Sequence, residues 1–194
     1  MPDFSAFIPY VLLATFTPGP NNLMAMANAT RHGFRRTLRF TSGVTLGFFV
    51  LLALCCAFSA TLLALVPTLH PVMAGLGAVY MLWLAWRTLR SKPHEEGVED
   101  TRTYGFWSGA ALQFVNPKAI LYGVTTASTF VVPYFHGPVV LGFISLVLAL
   151  VAFVATGSWA LFGAAFQRFL AKRGRVVNIV MALLLVYCAV SLFL

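Results

Sequence analysis

Residues 14–24 read ATFTPGPNNLM. They lie inside an apolar run that begins at Phe4. Two prolines, a glycine and two asparagines in so short a stretch are ordinary in a surface loop, where turn chemistry favours them. Within a segment apolar enough to enter lipid they are a break. A proline in a helix interior costs about 3 kcal/mol. It also leaves the carbonyl four residues earlier without its usual donor. Pro18 frees the carbonyl of Ala14, and Pro20 that of Phe16. In a bilayer such groups must be re-satisfied by protein, water or ligand.

The pattern recurs once. Residues 112–123 read LQFVNPKAILYG, in which Pro117 frees the carbonyl of Gln113. The chain of 194 residues is 60% hydrophobic and only 9% charged, against roughly 25% charged residues in a soluble domain. Six stretches, at about 4–29, 40–66, 70–90, 104–132, 137–163 and 175–194, reach the ~20 residues that cross a hydrocarbon core. The first does not read as a cleavable signal peptide: Met1-Pro2-Asp3 carries an acid where a positive region belongs, and the run is too long.

The only long polar stretch, Ser91 to Thr103, reads as a linker. It predicts an all-α integral membrane protein with a first three-helix repeat over 1–92, a linker over 93–103, and a second repeat over 104–194. Three spans is an odd number, so the second repeat enters the membrane inverted, and helices 1 and 4 are each broken at proline. Pro18 and Pro117 are 99 residues apart, as are Gly43 and Gly142. The net charge of +8 is distributed in three groups of four, which hold twelve of the 13 Lys and Arg. Arg31, Arg35, Arg36 and Arg39 fall between spans 1 and 2. Arg87, Arg90, Lys92 and Arg102 fall around the linker, and Arg168, Lys172, Arg173 and Arg175 between spans 5 and 6. Positive loops stay inside, so both termini are expected outside and the basic groups against anionic headgroups. A nucleic-acid module would interleave aromatics with these charges; none does.

Interrupted segments in corresponding positions of two halves point to a transporter's binding site. The substrate-binding candidates are therefore Pro18, Gly19, Pro20, Asn21 and Asn22 at the first break, and Gln113, Asn116, Pro117 and Lys118 at the second. Asn21 and Asn22 can cap the half-helix that restarts after Pro20, and Asn116 the next one. Lys118, the single charge deep in a span, costs about 2.5–3.5 kcal/mol on insertion scales. Freed carbonyls beside a cation and helix amides suit an amino acid zwitterion. The carboxylate would meet Lys118 or the half-helix amides, and the ammonium the carbonyls of Ala14, Phe16 or Gln113. Gly43-xxx-Gly47 and Gly105-xxx-Gly109 read as close helix packing. Cys55, Cys56 and Cys188 read as small core residues, Trp83, Trp86 and Trp107 as interfacial anchors, and Asn178 as a helix–helix contact. His32, His70, His94 and His136 fall at loops or span ends. No metal or cofactor is implied. The spans hold no acid with which to build a hydrolytic centre, so an enzyme is not expected.

TPGPNN at 17–22, NPK at 116–118, six spans and about 200 residues resemble the LysE/RhtB family of amino acid exporters. HGFRRTLR at 32–39, GVTLGF at 43–48, ALQFVNPKAILYGVT at 111–125 and NIVMALLLVYCAV at 178–190 are similar to its cysteine and O-acetylserine exporter branch. The resemblance implies efflux of small neutral amino acids or derivatives through the bacterial inner membrane, driven by a proton gradient. Asp3, Glu95, Glu96, Glu99 and Asp100 all lie outside the predicted core, so coupling falls to Lys118, to a span-end group such as Asp3, or to the substrate, and uncoupled export is the alternative. Export of threonine, homoserine or leucine and a non-transporting accessory subunit are the competing readings. A homo-oligomer is compatible with each.

Overall fold

The computed structural model describes residues 4–59, positions 75, 78, 79, 82, 83, 85, 86 and 88–90, and residues 105–165 and 174–190. Every element among them is helical. In chain order they are α1 (Phe4–Phe16), α2 (Pro20–His32), α3 (Phe34–Ala57), α4 (Phe106–Val115), α5 (Pro117–Thr125), a π-helical segment Thr126–Val131, α6 (Pro138–Ala165) and α7 (Gly174–Val190). Among the described residues, α3 and α6 are long and apolar enough to cross a membrane. Most of span 3, the linker, His70, His94 and the side chain of Asn178 lie outside the described residues.

The chain breaks where proline demands it. α1 ends at Phe16 and α2 restarts at Pro20, while α4 ends at Val115 and α5 restarts at Pro117. In both restarts the proline occupies the first helical position, where a missing N–H and a preset φ do no harm. One boundary differs from the sequence expectation. Arg35, Arg36 and Arg39 do not lie in a loop between spans but in the opening turns of α3. Only Gly33, at φ 79°, separates α3 from α2. That left-handed backbone is open to glycine at little steric cost, so one residue suffices to turn the chain. All three arginines remain exposed.

Two buried clusters occupy opposite ends of the molecule. The first joins α2 from Leu23 to Ala29, the opening turns of α3 (Phe40, Val44), Leu112 of α4, Ala160 near the end of α6, and α7 (Met181, Leu185). Here the helices meet backbone to backbone. A Cβ added at Gly43 would run into the Phe106 carbonyl, at Gly47 into Ala110, at Gly109 into the Phe40 carbonyl, and at Gly163 into Met26. The second cluster joins Val11 of α1, Leu51 to Cys56 of α3, Tyr122 and Val124 of α5, Val131, and Leu148 and Ala149 of α6. Side chains make its contacts. Phe7 stacks on Phe130 at 5.1 Å between ring centroids, Tyr10 on Phe130 at 5.5 Å, and Tyr10 on Tyr122 at 5.6 Å. At that end Gly142 has open space where a Cβ would go.

The outer faces are apolar. Leu13, Val139, Phe143, Leu183 and Tyr187 are all well exposed, and Trp107 is 77% exposed at the start of α4. In water such contiguous apolar surface is avoided, whereas a bilayer is its natural solvent. Trp86 lies under the Arg90 guanidinium, 4.5 Å from the ring centroid, a pairing suited to an interfacial anchor.

Candidate functional site

The two breaks meet. Asn21 at the start of α2 and Gln113 near the end of α4 exchange amide hydrogen bonds, Asn21 Nδ2 to Gln113 Oε1 at 2.9 Å and Gln113 Nε2 to Asn21 Oδ1 at 3.1 Å. Asn116 Nδ2 also donates to Asn21 Oδ1 at 3.2 Å. Gln113 anchors itself further by donating to the Gly109 carbonyl at 2.9 Å. A buried amide left unpaired costs about 1–3 kcal/mol, so this network ties the two broken helices at their weakest point.

Asn116 caps α5 by accepting from the Lys118 backbone amide at 3.2 Å, as its residue type predicts. The first break behaves differently from the sequence expectation. Neither Asn21 nor Asn22 caps α2: its N-cap is Gly19, in extended backbone with no side-chain cap. Asn22 instead turns back and donates to the carbonyls of Thr15 at 2.8 Å and Thr17 at 3.0 Å. Its own oxygen accepts from Thr156 of α6 at 3.2 Å. The physical reason is that the break strands carbonyls as well as amides, and the short Asn22 side chain reaches the carbonyls. The carbonyl of Phe16, freed by Pro20, accepts from Trp159 Nε1 at 3.1 Å. That of Ala14 receives only a 3.4 Å contact from the Thr17 hydroxyl.

Lys118 crosses from the second break to the first. Its Nζ donates to Thr17 Oγ1 at 2.8 Å, to the Thr17 carbonyl at 3.1 Å and to the Pro18 carbonyl at 3.3 Å. Thr17 in turn donates its hydroxyl to the Leu13 carbonyl at 2.7 Å. The ammonium thus rests on the carbonyl end of α1, where the helix dipole is negative. Gly19 permits this approach, because a Cβ there would lie 3.0 Å from Lys118 Cδ.

Between the two buried clusters lies a cavity of about 40 Å³. Its wall takes Ala14 and Thr15 from α1, Gly19 to Asn22 at the start of α2, Phe48 from α3, Asn116, Lys118, Ala119 and Tyr122 around α5, and Ala152 and Thr156 from α6. Phe48, Ala152 and Thr156 sit near the middles of the two long helices, so the cavity lies at mid-depth. Of the sequence candidates, Gly19, Pro20, Asn21, Asn22, Asn116 and Lys118 line it. Gln113 stands behind Asn21, fully buried, while Pro117 is buried and Pro18 exposed, both away from the wall. Thr15, Phe48, Tyr122, Ala152 and Thr156 join the wall without having been singled out. A threonine in the middle of an apolar span, as at 156, is the one sequence signal that marks any of them.

The wall has two poles. The uncapped start of α2 offers helix amides and a partial positive charge, a natural seat for an anion. The end of α1 offers carbonyls. Groups of opposite polarity at a proline-made break, at mid-depth and beside a lysine, define a membrane carrier of small polar molecules. The chain belongs to the LysE type translocator family, whose model matches residues 12–194. It is 44% identical over 189 residues to proteins named cysteine/O-acetylserine efflux protein from Escherichia coli (strain K12) and from Shigella flexneri serotype 5b. The same identity holds for the protein of that name from Escherichia coli O6:H1. Each match covers 97% of this chain and 96% of the relative. No solved structure matches it.

Proposed function

We propose that this chain exports small neutral amino acids or their derivatives, cysteine and O-acetylserine among them, across the bacterial inner membrane. The observation that carries this is the mid-depth cavity with a bare helix start on one side and a helix end held by Lys118 on the other. A zwitterion is the ligand that answers both poles. Its carboxylate takes the amides of α2, and Lys118 lies within reach. Its ammonium takes the Ala14 carbonyl, the freed carbonyl at the first break that holds only a long hydrogen bond and belongs to a residue of the cavity wall. The substrate names come from the relatives.

The finer architecture belongs to the same proposal. Two inverted three-helix repeats, over 1–92 and 104–194 and joined by the linker at 93–103, would rock around the fixed site. Both termini face the periplasm, in keeping with exposed Arg35, Arg36 and Arg39 at one end of the molecule. A proton gradient drives export. Chemistry at the site is confined to binding, with no covalent step.

The test is counterflow of labelled cysteine, O-acetylserine, serine, threonine and lysine in liposomes holding the purified protein. Saturable counterflow of the small neutral compounds, lost in Lys118→Ala, is the expected result. Folded protein that moves none of them overturns the proposal. Preference for threonine over cysteine and O-acetylserine would reassign the substrate within the same mechanism.

A further inference from the structure

The cavity wall divides by polarity. Its Thr15, Asn21, Asn22, Asn116, Lys118 and Thr156 side chains are all engaged in hydrogen bonds. The apolar part of the wall is Ala14, Phe48, Ala119, Tyr122 and Ala152. Tyr122 joins it through its ring, because its hydroxyl bonds the Thr126 side chain. Phe48, Ala119, Tyr122 and Ala152 all belong to the second buried cluster, so this part of the wall is continuous with that cluster. Two of the four carry rings and two only a methyl. The rings are fixed in place. Tyr122 lies between Tyr10, stacked within 6° of parallel, and Phe48, 5.4 Å away. Phe48 is 4% exposed, and α3 cannot shift toward α4 to move it aside. At the preceding residue, Gly47, the two backbones already touch, and a Cβ there would overlap Ala110.

We infer that Phe48 sets the upper size of the side chain the carrier accepts, a reading that rests on the proposed export of small amino acids and narrows their class to neutral side chains without a ring. With the zwitterionic head held at the two breaks, the cargo's side chain has only the apolar wall to enter. A close-packed interior yields little when extra volume is forced into it. A short or unbranched side chain lies along the methyls of Ala119 and Ala152. A phenyl ring needs the space that the Phe48 ring already fills. A charged side chain finds no partner at this wall and loses its hydration for nothing.

The test is Phe48→Ala, in counterflow of labelled cysteine with unlabelled serine, phenylalanine and lysine as competitors. Phenylalanine is expected to compete poorly in the wild type and about tenfold better in Phe48→Ala, the scale on which relieved overpacking shows. Serine is expected to change little and lysine to stay poor. Ala152→Val narrows the same space from α6 with Phe48 in place, and it decides the matter if Phe48→Ala does not fold. In that variant O-acetylserine is expected to lose about tenfold more competition than serine. Phenylalanine that competes as well as serine in the wild type, or no better in folded Phe48→Ala, overturns the inference and leaves the exporter intact. An equal gain for lysine overturns it as well, because the site would then have loosened as a whole. So does an equal effect of Ala152→Val on serine and O-acetylserine. Wild-type protein that moves no amino acid overturns the exporter reading and this inference together.

Discussion

Lys118 spends all three of its ammonium protons on Thr17 and Pro18, the full donor capacity of a lysine. A charge satisfied in this way stabilises the break that holds it. Lys118→Met is therefore expected to lower the melting temperature of the purified protein as well as to cut counterflow by more than tenfold. A loss of transport with unchanged melting would mean the lysine serves substrate alone. Gly19→Ala makes a separate prediction. The added Cβ meets only the flexible end of Lys118, so the variant folds, but the ammonium is displaced and apparent affinity weakens several-fold in the same assay. The prolines, asparagines and lysine of this site were legible in the sequence because their chemistry conflicts with an apolar span. Tyr122 and Trp159 were not. In a bilayer helix the lipid face and the protein face are both apolar, so periodicity does not tell an inward aromatic from an outward one.

At the scale of elements, close approach is concentrated where α3 meets α4 and where α2 meets α6. Gly43 and Gly109 face backbone atoms that cannot move aside. Gly43→Leu and Gly109→Leu are each expected to cost at least the ~1–3 kcal/mol of overpacking, read as a large fall in melting temperature or as loss of folded protein. Gly105→Ala, in the same GxxxG pair as Gly109, has open space around it and should change melting little. The motif thus marked the right helices but not which glycine of α4 touches the partner. The helix breaks were legible because proline removes a donor wherever it sits. The restart of α3 at Phe34 was not, since a run of arginines reads equally as loop and as an exposed helical turn. The π-helical segment Thr126–Val131 likewise has no composition of its own.

At the scale of the molecule, the two ends are closed by different means. The end bearing Arg35, Arg36 and Arg39 is sealed by backbone contacts through glycine, the other by stacked rings that can part. If the carrier rocks about its central cavity, the ring-closed end is the one that opens and closes, with open space at Gly142 of α6 into which that motion can run. Gly142→Leu is then expected to leave melting unchanged and to slow counterflow severalfold, and normal counterflow in this variant would exclude such a closure. The position of Lys118 has a further consequence. When the cavity holds no cargo, its ammonium rests on the carbonyls of the first break as a resident counter-ion, and no charge is left stranded. Such a carrier can return unladen. It should therefore release its amino acid into a medium that contains none, at a rate comparable to its exchange of one molecule for another.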